Sequence, residues 1–156
     1  MKIRRATPSD VQAIVDMWRK LIQYHALKSK YFEPVPDAEV KFEKYLRGLM
    51  GKKGASVFVA QDYDKLVGCL VARVSEDPPV CKIRRKGVIT DVFVERGYRK
   101  RGIGGKLVKR ALEWFREQNL QFAELSVYVK NISGKIFWKR MGFEDHMTIM
   151  RRKLSS

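Results

Sequence analysis

The chain has 156 residues, 45% hydrophobic and 32% charged, a balance that fits one folded domain and excludes an intrinsically disordered chain. No apolar run approaches the roughly 20 residues of a membrane span, and two cysteines, Cys69 and Cys81, are too few for a disulfide framework or a metal cluster. The net charge is +16, and residues 79–156 hold most of it, with 19 basic and 7 acidic side chains. We therefore expect a cytoplasmic protein without a metal, whose anionic ligand meets the second half of the chain.

The first half of the chain predicts strands on either side of two helices. Thr7 is a good helix N-cap and Pro8 suits the first helical position, so a helix starts where the first strand stops. Pro34 and Pro36 set the loop between the two helices. In chain order we predict a strand at residues 2–6, a helix that fades at 24–28, a helix at 37–50, and paired strands at 55–61 and 66–74.

The second half of the chain alternates strands with helices. In chain order we predict a strand at 87–95, a glycine-rich basic turn at 96–105, a helix to about residue 118, a strand at 122–129, a helix at 133–141 and a last strand at 143–153. No repeat, low-complexity tract or linker interrupts this order. The pattern indicates one mixed α/β domain over residues 1–156.

The turn at 96–105 has the composition of a phosphate-binding loop. Gly102, Gly104 and Gly105 stand at the start of a helix, where unpaired N–H groups and a partial positive charge attract anions. Glycine lets this backbone approach a phosphate without obstruction by a side chain. The spacing fits neither a Rossmann turn nor a P-loop, so we expect a pyrophosphate cradle of another kind. The neighbouring cations are Arg99, Lys100, Arg101 and Lys106.

The run Arg99-x-x-Gly102-x-Gly104 resembles the R/Q-x-x-G-x-G/A signature of the GNAT superfamily of N-acetyltransferases, which bind acetyl-CoA. The order of the elements also matches that family, so the resemblance covers essentially the whole chain. It implies an α/β fold whose central, mostly antiparallel mixed sheet has six to seven strands, splays at the motif strand and is flanked by about four helices. Further matches are Val94 five residues before the arginine, Asn131 after the next strand, and the pair Gly142 and Phe143 after the last helix.

The resemblance implies an N-acetyltransferase that moves the acetyl group of acetyl-CoA to a primary amine by direct attack in a ternary complex. Cys69 and Cys81 lie outside the motif, so we expect no covalent cysteine intermediate. One alternative is a catalytically silent acyl-CoA-binding protein. The other is a basic module associated with nucleic acid or the ribosome, suggested by the clusters at 82–86 and 151–153. Nucleic acid is the less favoured partner, because no such motif is present and the cradle accounts for part of the charge.

The family's cofactor contacts map onto two stretches and one later helix. The motif strand would hydrogen-bond the pantetheine arm through its main chain, although its side chains equally fit a plain core, and the turn would hold the pyrophosphate. Asn131 would fall near the pantetheine, with Gly134 where the family often has alanine, but Asn131 equally suits a helix N-cap. The residues concerned are Val92, Phe93 and Val94 in the strand, and Arg99, Lys100, Arg101, Gly102, Ile103, Gly104 and Gly105 in the turn.

Proton transfer is the point at which this sequence departs from the family. Trp138 stands where the family commonly has the tyrosine that protonates the departing thiolate, and an indole N–H does not give up its proton near neutral pH. Tyr128 or water would then protonate the thiolate, or catalysis has been lost. For the general base the family often uses a carboxylate on the motif strand, which makes Asp91 the candidate and Glu95 a surface or cap residue. Asp91 would otherwise make a structural hydrogen bond.

The acceptor side is poorly defined by the sequence. In this fold the first two helices and their loop line the acceptor cleft, so we take His25, Phe32 and Glu33 as candidate substrate-binding residues, with a structural role the alternative for His25. The acceptor itself is an unidentified amine, on a small molecule or a protein. We expect no membrane association, and an edge strand at 143–153 would allow a homodimer.

Overall fold

The computed structural model describes residues 1–155 and divides into two compact units, Met1–Ser126 and a second that begins at Val127. No helix among the described residues is long and apolar enough to cross a bilayer. Three-residue 3-10 turns lie at Pro8–Asp10, Lys30–Phe32 and Arg96–Tyr98. The first unit contains β1 (Lys2–Arg5), α1 (Val11–Lys28), α2 (Ala38–Met50), β2 (Ala55–Asp62), β3 (Lys65–Glu76), β4 (Arg85–Val94), α3 (Ile103–Glu117) and β5 (Ala123–Glu124), and the second contains α4 (Ile132–Arg140).

The five strands form one sheet in the order β1-β2-β3-β4-β5. The first four pair antiparallel with their neighbours, and β5 pairs parallel with β4. The prediction of a mostly antiparallel mixed sheet is therefore confirmed, and the described residues contain the four α-helices expected. Residues 1–155 contain five strands rather than the six to seven expected.

Two predicted strands account for that difference. The strand expected at 122–129 is reduced to Ala123–Glu124, because its pairing with β4 stops there. The strand expected at 143–153 is absent from the described residues. Its apolar side chains have no face to cover: Met147 and Ile149 are 84% and 79% exposed. Alternating hydrophobicity predicts a strand only where a neighbouring strand supplies hydrogen bonds and a core covers one face.

The sheet is covered on both faces within the first unit. One face packs on α1 and α2, through a core that includes Leu46 of α2. The other face packs on α3, where the ring of Trp114 lies 6.4 Å from the ring of Phe58. Helices on both faces explain why β2 and β3 read as continuous apolar runs, since neither face of these central strands meets water.

Candidate active site

A β-bulge in β4 decides which way Asp91 faces. Val71 of β3 pairs with Asp91, but the next residue, Ala72, pairs with Ile89, so Thr90 is the extra residue. Because side chains alternate along a strand, one extra residue turns all later side chains to the opposite face. Asp91 therefore shares the face of Val71, which packs on α1 and α2, whereas Ile89 lies on the α3 face with Ala72.

The strand β4 loses its partner on one edge partway along its length. Its pairing with β5 is confined to Gly87 and Val88, and over residues 89–94 no strand of the described chain pairs with that edge. The backbone groups that point away from β3 in this stretch, which includes Val92 and Phe93, therefore have no strand partner. The splay expected at the motif strand is present.

The turn after β4 ends in a helix N-terminus with free amides. Gly102 is the N-cap of α3 with φ +76°, a left-handed conformation that favours glycine, and Lys100 also has a positive φ of 60°. The amide of Lys106 donates to the Gly102 carbonyl at 3.0 Å, which closes the first helical turn. The amides of residues 103–105 precede that bond and have no acceptor within the helix. This donor set fits a pyrophosphate.

Three cations near the turn differ in the groups that they contact. The Arg99 Nε donates to the Val94 carbonyl at 2.9 Å, so this side chain braces the turn against the end of β4. The Tyr98 ring has two cations near its face, with the Lys65 Nζ 5.9 Å and the Arg101 guanidinium carbon 5.3 Å from the ring centroid. Lys65 comes from the β2–β3 hairpin and adds positive charge that the motif alone did not predict.

Asp91 and His25 lie within electrostatic reach of each other. Burial raises the pKa of the Asp91 carboxyl above its usual range, while a hydrogen bond from Thr90 and the nearby His25 act in the opposite direction. Burial lowers the pKa of His25, the Asp91 charge raises it, and Lys28 lowers it further. A helix residue and a strand residue predicted separately are thus brought together on the α1 face of β4.

The other candidate acceptor residues follow α1. The ring of Phe32 lies 5.6 Å from the ring of His25, at an angle of 50°. Glu33 is an exposed residue that ends the short 3-10 turn, its amide donating to the Lys30 carbonyl at 3.1 Å. The structure therefore brings Phe32 to His25, while Glu33 is exposed.

The remaining candidates lie in the second unit and are described within it. Asn131 is the N-cap of α4, and its side-chain oxygen accepts from the Gly134 amide at 3.2 Å. A Cβ at position 134 would overlap the Asn131 side-chain amide, so glycine is what allows this cap to close. Trp138 contacts Phe143 in a T-shaped pair with centroids 5.4 Å apart, and the Tyr128 carbonyl accepts from the Asn131 amide at 2.8 Å.

The two cysteines differ in environment. Cys69 is buried in β3, and burial raises the pKa of its thiol, which makes it a poor nucleophile. Cys81 is exposed in the β3–β4 connection. Neither thiol lies in the turn at 96–105.

Sequence reasoning missed the face switch at Thr90. Gly87, Ile89, Asp91 and Phe93 have the same parity along the strand, so simple alternation assigns all four to one face. In the structure Gly87 lies under the Phe115 ring of α3, whereas Phe93 belongs to the core beneath α1 and α2. No residue type in this stretch signals a bulge.

The sequence profile of the acetyltransferase (GNAT) family matches residues 18–143. An uncharacterized N-acetyltransferase of Methanocaldococcus jannaschii is 28% identical over 143 residues, which are 92% of this chain and 60% of that protein. The chain thus spans less than two thirds of that relative. An uncharacterized N-acetyltransferase of Archaeoglobus fulgidus is 30% identical over 142 residues, with 88% of this chain and 89% of that protein covered.

Solved structures share this fold at low sequence identity. The tetramutant of a Bacillus halodurans protein superimposes with a TM-score of 0.86 at 21% identity, over 99% of this chain and 100% of that one. An aminoglycoside N-acetyltransferase in complex with CoA superimposes with a TM-score of 0.76 at 15% identity, over 99% and 100% of the two chains.

Proposed function

The chain belongs to the GNAT acetyltransferase family, and on that premise we propose that it transfers the acetyl group of acetyl-CoA to a primary amine by direct attack in a ternary complex. The observation that carries this proposal is the β4–α3 junction. There a strand edge without a partner leads through the Gly102 turn into the free amides of a helix N-terminus. A CoA-bound structure of an aminoglycoside N-acetyltransferase with this fold supports the choice of acyl donor.

Two stretches of the first unit would hold acetyl-CoA, which supplies an activated acyl group as a thioester. Along residues 92–94 the main-chain groups that face away from β3 would pair with the amide-bearing arm, as a further strand would, except the Val94 carbonyl, which accepts from Arg99 Nε. The amides of residues 100–105 would meet the pyrophosphate, and Lys65 and Arg101 would add positive charge near it. Asn131, Gly134 and Trp138 are further proposed contacts.

Asp91 is the proposed general base. An amine attacks only when neutral, and an alkylamine has a pKa near 10.4, so a proton must leave it. Burial of Asp91 raises its pKa, which makes the carboxylate a stronger base than an exposed one. The bulge turns this side chain to the face that α1 covers, on the side of His25.

The second proton transfer, to the departing sulfur, is assigned to Tyr128. The indole of Trp138 offers only a hydrogen bond, whereas a phenol with a pKa of about 10 can give up its proton. A thiolate with a pKa near that of cysteine, about 8.5, needs little help to leave, so we expect Tyr128 to matter less than Asp91.

The wider assignments follow from the same premise. We infer that residues 1–156 act as one GNAT domain, because the family profile runs from residue 18 to residue 143 and so includes parts of both units. The acceptor is a primary amine. A homodimer stays a prediction, but the edge strand at 143–153 that was expected to pair it is absent from the described residues. Because the chain spans 60% of one archaeal relative, that relative's full activity is not carried over.

The experiment that tests this function measures CoA release from acetyl-CoA against a pool of primary amines. We expect release that depends on an amine, and Asp91→Asn to lower kcat/KM by about 10²–10⁴ through loss of the general base. Asp64→Asn is the matched control: this turn carboxylate makes no hydrogen bond or ion pair with any described residue and should leave the rate unchanged. Acetyl-CoA binding without amine-dependent release would instead indicate a silent acyl-CoA-binding protein.

A further inference from the structure

Four ring side chains meet where α1 ends. The ring centroids of Tyr24 and His25 lie 5.8 Å apart, those of His25 and Phe32 lie 5.6 Å apart, and those of Tyr31 and Phe32 lie 5.1 Å apart in a T-shaped pair. Tyr31 is 64% exposed and Tyr24 is 38% exposed, so part of this aromatic cluster (Tyr24, His25, Tyr31 and Phe32) faces solvent. An exposed group of rings of this kind is a feature of binding surfaces.

The aromatic cluster lies within electrostatic reach of Asp91, the carboxylate that the proposed function uses. His25 continues the core-facing stripe of α1, following Trp18 and Leu21 at helical spacing. It interacts electrostatically with Asp91, which the bulge turns toward the same face of the sheet. An amine at Asp91 would therefore have rings beside it.

The charges around this cluster do not suit a polycation. Residues 18–33 contain four basic side chains and one acidic one, Glu33. Glu95, which follows β4, is already paired with Lys20 at 2.6 Å, so these two charges cancel. The ammonium of Lys28 lies 4.7 Å from the centroid of the Tyr24 ring and so holds positive charge at the cluster. Arg19 and Lys20 are already paired with carboxylates, so beyond Asp91 a ligand with several ammonium groups would meet the carboxylate of Glu33 and the cations of Lys28 and Lys30.

We propose, on the basis of the acetyltransferase function above, that the acceptor is a small monoamine with an aromatic or aliphatic body. The amine nitrogen approaches Asp91, and the body packs on the aromatic cluster through Phe32 and Tyr31. Polyamines and aminoglycosides are disfavoured by the ammonium of Lys28 at the cluster and by the neighbouring Lys30. The aminoglycoside acetyltransferase that shares this fold is similar to the chain in fold alone. Its acceptor is therefore not assigned to this chain.

The test compares kcat/KM for 2-phenylethylamine, ethylamine, spermidine and kanamycin at saturating acetyl-CoA. We expect 2-phenylethylamine to exceed each of the others by about tenfold or more, since a ring placed against a fitting apolar surface discriminates on this scale. Phe32→Ala should lower kcat/KM for 2-phenylethylamine about tenfold, mainly through KM, and leave ethylamine within about twofold. Phe122→Ala removes a half-exposed ring elsewhere in the first unit and should change neither substrate.

Tyr31→Ala supplies a second variant if Phe32→Ala fails to fold, because Tyr31 is the more exposed ring. This variant should likewise lower kcat/KM for 2-phenylethylamine and leave kcat/KM for ethylamine nearly unchanged. Turnover that prefers spermidine or kanamycin, or equal losses for 2-phenylethylamine and ethylamine in both variants, overturns the monoamine inference and leaves the acetyltransferase function intact. Absence of turnover with every amine, with acetyl-CoA still bound, overturns the proposed function itself.

Discussion

The Thr90 bulge joins backbone geometry to acid–base chemistry at a single residue. It turns Asp91 onto the α1 face, where burial raises the pKa of the carboxyl. The Thr90 hydroxyl, which donates a long hydrogen bond of 3.4 Å to the Val71 carbonyl, opposes that shift by also favouring the ionised carboxylate, and His25 opposes it by its charge. The ionisable groups that influence this site from neighbouring elements are His25 and Lys28 of α1 and Cys69 of β3, with Glu95 following β4.

Thr90→Val should move the acid limb of the kcat/KM profile to higher pH. Asp91 accepts a proton only when ionised, so the rate falls as pH drops through its pKa. Valine keeps the shape of threonine but removes the hydrogen bond that favours the ionised form, and the pKa rises further. Thr148→Val, at an exposed position, is the control and should leave the profile in place. An acid limb at the wild-type pH, or at a lower pH, would contradict the assignment of Asp91 as the general base.

Asp10 plays a structural part at the start of α1. Its carboxylate accepts two hydrogen bonds from Arg4, at 2.7 and 2.9 Å, and one from the Thr7 amide at 2.7 Å. The Arg4 hydrogen bond is the largest cause that lowers the pKa of Asp10 from its ordinary value to about 2. The predicted helix start at Thr7 is thus realised with Asp10 as the residue that ties the strand to the helix.

Asp10→Asn should lower the free energy of unfolding by about 1–3 kcal/mol, because Arg4 loses its charged partner and the Thr7 amide its acceptor. The folded pKa lies below the unfolded one, so the wild-type advantage is full above the ordinary pKa of 3.8 and is lost as pH falls through about 2. Urea unfolding at pH 7 and at pH 2 measures the difference in the free energy of unfolding between wild type and Asp10→Asn, with Asp64→Asn as control. Equal stability of variant and wild type at pH 7 would contradict this account.

At the scale of elements, α3 and β4 are held together where the candidate site begins. Gly87 lies under the Phe115 ring, and a Cβ there would come within 2.5 Å of that ring. The same residue pairs with β5, just before the edge of β4 becomes free. The last turn of α3 therefore packs closely on β4 just before the edge of that strand becomes free.

Gly87→Ala should destabilise the protein by about 1–3 kcal/mol, since the added methyl group must displace the Phe115 ring from a packed interface. Gly48→Ala is a control with the opposite expected sign. Gly48 lies inside α2 with open space at its Cβ, so alanine should stabilise by about 0.5–1 kcal/mol. Thermal unfolding of both variants measures the difference. If Gly87→Ala is at least as stable as wild type, the Phe115 ring can move aside without a loss in the free energy of unfolding, which would contradict this prediction.

Elements were predictable from the sequence where one face of the element is buried. The amphipathic stripes of α1, α2 and α3 predicted these helices to within a few residues, and the apolar runs predicted β2, β3 and β4. The strand at 143–153 was wrong because alternation says nothing about whether a partner is present. The electrostatic interaction of His25 with Asp91 depends on a bulge and on how far α1 extends, and local residue types predict neither.

At the scale of the whole molecule, charge is the property that most needs an explanation. Of the 33 basic residues, 19 lie in the second half, and Arg99, Lys100, Arg101 and Lys106 lie at the β4–α3 turn. Several others are neutralised locally, as Lys86 is by Asp77 at 3.2 Å and Glu124 at 3.0 Å. The cations at the turn are the ones that a phosphorylated ligand would use, whereas a nucleic-acid partner would draw on the surface as a whole.

The central claim is that the β4–α3 turn binds acetyl-CoA, and calorimetric titration of acetyl-CoA tests it most directly. The informative pair is Gly102→Ala and Gly97→Ala, because a Cβ at either position meets no atom within 4 Å but only Gly102 has a positive φ. We predict that wild type and Gly97→Ala bind alike and that Gly102→Ala binds about tenfold more weakly. Alanine lets the turn relax to a negative φ in the free protein, and returning it to the left-handed conformation on binding costs roughly 1–2 kcal/mol. Failure of the folded wild type to bind, or equal affinities for all three, would contradict the account.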